Sequence, residues 1–290
     1  MKKTEEATRP SRTYFNDTEN VDEMARLMVL SRYTTNGLGG PFPPGLPLTS
    51  LRDVLDIACG PGEWALDVAQ TFPHMDVTGV DISTRMIDVA QTLATQSQTS
   101  NAHFRVMDAT SLLDFADASF DLINSRLIFG FMPRDLWPRY LQECRRLLRP
   151  GGLLILTESE MLVTSSPALE QMSSFFMQGL YLAGQGFSSL GIGSGITPLL
   201  PRFLHEADFE LLQQRGCSLN YSAGTSIHQN SYENARIAFQ LMEPFLVKWK
   251  VAAPEQIQAV YQQMLTEMLS PGFCALHYYY QVIGRKPLDE

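Results

Sequence analysis

The chain has 290 residues, 44% of them apolar and 18% charged, enough for one large α/β domain with a sizeable core or for two small ones. A formal charge of -9, from 31 acidic and 22 basic side chains, argues against nucleic acid as a partner, because a polyanion would be repelled. The four cysteines show no CxxC or Cys/His spacing, so no metal cluster or disulfide framework is expected. No apolar run reaches the ~18 residues of a membrane span, and "MKKTEEATRPSRTYF" lacks the apolar centre of a signal peptide. The expectation is a cytoplasmic protein with no membrane partner.

Residues 1–16 read as a loose lead-in. "NVDEMARLMVLSRYTT" places apolar residues at helical spacing from Val21 to Leu30, with Asn20 and Glu23 arranged as a capping box. "NGLGGPFPPGLP" then separates this helical cap segment, residues 1–50, from the main domain, residues 51–290. From Arg52 strands and helices alternate. "RDVLDIA", "DVTGVD", "HFRVMDA", "FDLINSRL" and "LLILTESE" are strands, with helices over "EWALDVAQTF", "TRMIDVAQTLATQ" and "PRDLWPRYLQECRRLL" between the first and last of them. This rhythm predicts a Rossmann-like α/β fold, a mostly parallel seven-stranded sheet with helices on both faces. After Glu160 the rhythm breaks. Helical insertions are expected at about 161–200 and 225–270, forming a substrate lid or a homodimer interface. "GQGFSSLGIGSG" reads as a mobile or tightly turning loop, "LLPRFLHEADFELLQQRGC" as a helix and sixth strand, and "FCALHYYYQVIGRKP" as the seventh strand.

Three aspartates fall at predicted carboxyl ends of strands, where open parallel sheets bind ligands: Asp56, Asp81 and Asp108. Each could be a turn former at a strand-to-helix junction. Asp81 stands 21 residues beyond Gly60, however, the spacing at which a carboxylate accepts two ribose hydroxyls while a glycine turn approaches the ligand. The turn reads Ala58-Cys59-Gly60-Pro61-Gly62-Glu63, and a negative side chain at the helix opening would oppose a diphosphate. A nucleoside ligand without phosphate, and with positive charge, fits better.

On these residues the chain resembles the class I S-adenosylmethionine-dependent methyltransferases of the small-molecule type, most clearly from Leu51 to Glu158. "VLDIACGPG" resembles the first motif of that family, "VTGVDIS" the second, "VMDA" the third and "FDLINSRLIFGFM" the fourth. The resemblance implies S-adenosyl-L-methionine as cofactor. It places Ala58, Cys59, Gly60 and Gly62 beneath the methionine portion, Asp81 on the ribose and Ile82 beside the adenine, with Met86 as a further cofactor-binding residue. Asp108 and Ala109 fall at the adenine amine and ring, and Asn124 and Ser125 near the transferred methyl. Two positions depart from the family pattern, Ala58 and Asp208, both where glycine is usual.

The acceptor side is less defined. Tyr14, Phe15, Arg32 and Tyr33 are candidates to close over the cofactor carboxylate or the substrate. Methionine and aromatic residues of the insertions suit an apolar acceptor, and equally suit core packing. Glu158, after the fifth strand, and His228, in a polar stretch, are candidate acid-base residues. His277 reads as a core or surface histidine. The leading expectation is methyl transfer to an oxygen, nitrogen or carbon of a small apolar or aromatic metabolite, as in secondary metabolism. A cofactor-assisted cyclisation or rearrangement, and a non-catalytic scaffold, remain the alternatives.

Overall fold

A computed structural model describes residues 14–17, 19–160 and 162–288, so the expected lead-in falls mostly outside the described residues. The N-terminal helix α1 covers Val21–Gly37. The alternating region gives β1 (Asp53–Ile57), α2 (Glu63–Thr71), β2 (Asp76–Asp81), α3 (Thr84–Gln96), β3 (Ala102–Val106), β4 (Phe120–Arg126), α4 (Trp137–Leu147) and β5 (Leu148–Ser159). Then follow β6 (Val163–Thr164), α5 (Pro167–Leu182), α6 (Leu200–Glu206), β7 (Glu210–Asn220), α7 (His228–Lys248), α8 (Pro254–Met268) and β8 (Ala275–Arg285).

The sheet runs β3-β2-β1-β4-β5-β8, with β7 along the far side of β8. The first five strands are parallel, and β8 is antiparallel to β5, β6 and β7. The expected α/β sheet is therefore present, with eight strands rather than seven among the described residues. The additional strand is the two-residue β6, which pairs with β8 just beyond the end of β5. The tyrosine-rich last strand is interior, lying between β5 and β7, and β7 forms the edge.

Side-chain alternation explains why both faces are covered. Val54, Leu122, Ile155 and Ile283 point into one core with Trp64, Val68 and Ile87 of α2 and α3. Their chain neighbours Leu55, Ile123, Leu154 and Val282 point into the other, with α4, α5 and α7. Strands buried on both faces become near-continuous apolar runs, as β1 shows. No helix among the described residues is long and apolar enough to cross a membrane.

Local chemistry differs from expectation at α1. Asn20 caps the helix by accepting from the Asp22 and Glu23 amides. Glu23 does not complete the box, because its carboxylate is drawn inward by Tyr14, Asn16 and Arg26. The late insertions are helical at α5, α7 and α8. The glycine-rich loop between α5 and α6 is tied down by Glu160, whose carboxylate accepts from the Ser194 and Thr197 amides and the Thr197 hydroxyl.

The strand order reverses direction between β1 and β4, and such a switch point opens a crevice at the strands' carboxyl ends. Two non-glycine residues there adopt left-handed backbone, Ala58 after β1 at φ 60 and Leu127 after β4 at φ 57. Asp208, the other departure from glycine, also has positive φ, and turns the chain from α6 into β7.

Candidate functional site

A cavity of about 300 Å³ fills the crevice and runs under α1. Its two ends differ in chemistry. One is formed by the turn after β1 (Ala58, Cys59, Gly60) and by Asp81, Ile82, Met86, Asp108 and Ala109 at the ends of β2 and β3. The other is walled by Phe15, Leu30, Phe129, Phe131 and Phe176, with His277 and Tyr279 of β8.

At the first end Asp81 is positioned by backbone. Its carboxylate accepts from the Gly60 amide at 2.9 Å and from the Ser83 amide at 2.9 Å. Burial raises its pKa, and those amides pull it back. Asp108 accepts from the Thr110 amide and hydroxyl at 2.8 and 2.7 Å. Gly60, at φ +55, faces open space, so the turn presents bare backbone to the cavity. Gly62 is not part of the cavity lining. A Cβ there would meet Phe104 and Ala90 at 2.7 and 2.8 Å, so its glycine lets α2 pack on β3 and α3.

The centre of the cavity holds Asp56 and Arg126. Burial pushes the Asp56 carboxyl up to about 6, opposed by Arg126 and by a 2.8 Å bond from Asn124. Burial lowers the Arg126 pKa, and the guanidinium donates to the Thr35 and Ser31 hydroxyls at 2.9 Å each. Its hydrogen-bond partners are neutral hydroxyls of α1.

The roof is a buried ionic knot. Arg26 donates to both Glu23 oxygens at 2.8 and 2.6 Å and to Asn234 of α7 at 2.7 Å, and Tyr14 donates to Glu23 at 2.8 Å. Burial alone would raise the Glu23 carboxyl, but the Arg26, Tyr14 and Asn16 donors hold it below its ordinary value.

Several expected site residues lie elsewhere. Arg32 projects outward and pairs with Glu63 at 2.8 Å, which also neutralises the charge expected to oppose a diphosphate. The turn alone therefore discriminates less against phosphate than its sequence suggested. Asn124 and Ser125 are buried below the cavity, Asn124 on Asp56 and Ser125 facing Tyr140 of α4. The β4 residue that reaches the cavity is Arg126.

Glu158, on β5, is buried outside the cavity lining and accepts from the Ile128 amide at 2.9 Å. Burial pushes its carboxyl up to about 8. His228, the first residue of α7, stands against the Tyr221 carbonyl with 3.0 Å between Nδ1 and oxygen, again outside the lining. The histidine in the cavity is His277. Two signals in the sequence could have pointed to these residues. His277 and Tyr279 are two apart on one strand and so share a face, and Arg126 is the lone basic residue of its strand.

The sheet order, the glycine turn and the acidic strand ends are those expected of a class I S-adenosylmethionine-dependent methyltransferase domain, and residues 54–152 match the family described as "Methyltransferase domain". Among curated proteins, the chain is similar to a demethylmenaquinone methyltransferase of Thermotoga maritima, 37% identical over 105 residues, covering 36% of this chain and 42% of that protein. It is also similar to the 27-O-demethylrifamycin SV methyltransferase of Amycolatopsis mediterranei, 35% identical over 148 residues and 51% of each chain. The chain thus spans about half the length of these relatives, or less. Its fold is shared with a Bacillus halodurans structure described as a candidate methyltransferase, at TM-score 0.53 and 16% identity, over 84% of this chain and 100% of that one.

Proposed function

We propose that the chain transfers the methyl group of S-adenosylmethionine to an oxygen, nitrogen or carbon of a small apolar or aromatic acceptor. The observation that carries this reading is the single cavity joining the glycine turn and Asp81 to a phenylalanine-walled chamber. The two curated relatives are named as methyltransferases of small molecules, which supports a small acceptor.

The residues fit the cofactor. Asp81 presents a carboxylate braced by two amides to a ribose, Ile82 and Met86 offer apolar surface to the adenine, and Asp108 with Ala109 closes its far edge. Asp56 and Arg126 are opposite buried charges with no mutual hydrogen bond, a pattern complementary to the ammonium and carboxylate of an amino acid. Arg126 thereby takes the role first assigned to Arg32. Tyr14 closes the roof through Glu23.

When bound, the cofactor supplies a methyl carbon made electrophilic by its sulfonium centre. The chain's own contribution is to orient that end, with acidic groups suited to a cation, and to exclude water beneath α1. Calorimetry with S-adenosylhomocysteine tests this reading. Binding is expected with micromolar affinity, on the order of 8 kcal/mol, and Arg126→Met should weaken it about tenfold or more. Absence of binding overturns the reading. Incubating isotope-labelled methyl donor with candidate acceptors separates methyl transfer from rearrangement by whether label enters the product.

A further inference from the structure

The acceptor end of the cavity contains a line of polar groups that the cofactor assignment leaves unused. His277 and Tyr279, two apart on β8, both line the cavity from the sheet side. Tyr221, just past the end of β7, joins them from behind. Its hydroxyl lies 3.0 Å from the Tyr279 hydroxyl and 3.3 Å from His277 Nδ1. The Thr34 hydroxyl of α1 is 3.4 Å from Tyr279. The rings are packed as well as bonded: His277 and Tyr279 centroids are 4.5 Å apart, and Tyr33 meets Tyr221 edge-on at 5.8 Å. Tyr279 and Tyr221 are buried, so their hydroxyls have little water to turn to.

The array has a direction. Burial pushes the His277 pKa down to about 4, so the ring is neutral at ordinary pH and one of its nitrogens is an acceptor. With Nδ1 as that acceptor, Tyr221 donates to His277 and Tyr279 donates to Tyr221. The Tyr279 and Tyr221 hydroxyls then each donate once, and Thr34 donates to Tyr279. The oxygen of Tyr279, a residue that lines the cavity, is left with acceptor capacity and no proton to give. The same cavity is lined by Phe129, Phe131 and Phe176, which suit a ring.

Resting on the methyl-transfer reading, we propose that Tyr279, polarised by Tyr221 and His277, is the acceptor subsite and selects an acceptor that donates a hydroxyl proton, a phenol or an enol. The acceptor's O–H is held by the Tyr279 oxygen, which leaves the acceptor oxygen's lone pairs free to face the cofactor end of the cavity. Tyr279 is the residue that touches the acceptor. Tyr221 and His277 are positioning residues that set which way the Tyr279 proton points.

A matched pair of probes tests this. With the full chain saturated by S-adenosylhomocysteine, 4-nitrophenol and its methyl ether 4-nitroanisole are titrated in turn, at a pH low enough to keep the phenol protonated, and followed by absorbance. The phenol should bind at least about tenfold more tightly, because a site built to accept an O–H rejects the analogue that lacks it. Tyr279→Phe and His277→Phe should bring the ratio to within about twofold. His277→Asn, whose side-chain carbonyl can accept from Tyr221 in place of Nδ1, should restore it, which a merely space-filling role for His277 would not do.

Equal binding of both probes, no binding of either while S-adenosylhomocysteine binds, or a preference that survives Tyr279→Phe would each overturn the proposal. Failure of S-adenosylhomocysteine to bind at all would instead overturn the methyl-transfer reading on which it rests.

Discussion

The two ends of the cavity are built in different ways. At the turn end, the cavity residues fall between Asp56 and Ala109, each at or just past the carboxyl end of a parallel strand, and are held by nearby backbone. Asp81 is fixed by the amides of Gly60 and Ser83, and Asp108 by Thr110. At the aromatic end, the wall comes from α1, the turn after β4, α5, α7 and β8, and its bonds join residues far apart in sequence. Thr34 and Tyr279, whose hydroxyls meet, are 245 residues apart. The first end is set by strand-turn-helix geometry that any chain of this fold must repeat. The second depends on how the added helices settle on the sheet, which leaves it free to vary with the acceptor.

The contrast is broken most forcefully at the roof, where α1 meets α7. Glu23→Leu removes one partner of a fully buried ion pair and leaves Arg26 uncompensated. The expected cost is about 3–5 kcal/mol in urea unfolding. A loss below about 1 kcal/mol would mean that the knot does not hold the added helix in place. The next effect lies beneath the junction of β4 and β5, where burial raises Glu158 from 4.5 to about 8. Below the ordinary carboxylate range both folded and unfolded states are protonated. As pH rises toward 8 the unfolded chain ionises first, so the fold loses stability.

Glu158→Gln should therefore stabilise the protein at pH 8, by up to about 4 kcal/mol, and change little at pH 4. The Gln carbonyl can still accept from the Ile128 amide. Denaturant midpoints at the two pH values check this. A gain equal at both would show that ionisation is not the cause. The raised Asp56 carboxyl contributes a pH dependence of the same sign.

This division also decides what the sequence could reveal. The alternating strands and helices, the turn at Gly60 and the acidic strand ends were legible because each depends on neighbours within a few residues. The helices of the insertions were legible from their apolar pattern. Which histidine and which arginine reach the cavity was not. Arg32 and Arg26 are six residues apart on one helix and so face different ways, and Arg26 meets Glu23 and Asn234 of α7 while Arg32 meets Glu63. His228 opens α7 and turns to the Tyr221 carbonyl, whereas His277 lies on β8, whose pairing with β5 and β7 sets which of its faces meets the cavity. Glu158 looked catalytic because it follows a strand end, yet the chain turns back at Leu127 and places the Ile128 amide over it.

A smaller effect sharpens the role of the loop between α5 and α6. Glu160→Ala removes the carboxylate that gathers Ser194, Gly195 and Thr197. Local opening should become easier by about 1–2 kcal/mol. It would be read as faster hydrogen exchange at those amides, with exchange in β1 and β4 unchanged. Uniform acceleration across the sheet would show that the loop is part of the global fold rather than a local closure.

The smallest expected effect is the most direct test of how the two arginines divide their work. Arg32 is 64% exposed and its carboxylate partner Glu63 sits at the cavity rim. Exposed pairs contribute little because water and salt screen them, so Arg32→Ala should change stability by less than about 0.5 kcal/mol. Affinity for S-adenosylhomocysteine should move by less than about twofold, since 0.4 kcal/mol corresponds to a factor of two. Arg126→Met, in the same calorimeter, should cost far more. If the order were reversed, Arg32 would have to swing from Glu63 into the cavity on binding, and the cofactor end would no longer be the part of the site that strand geometry alone prepares.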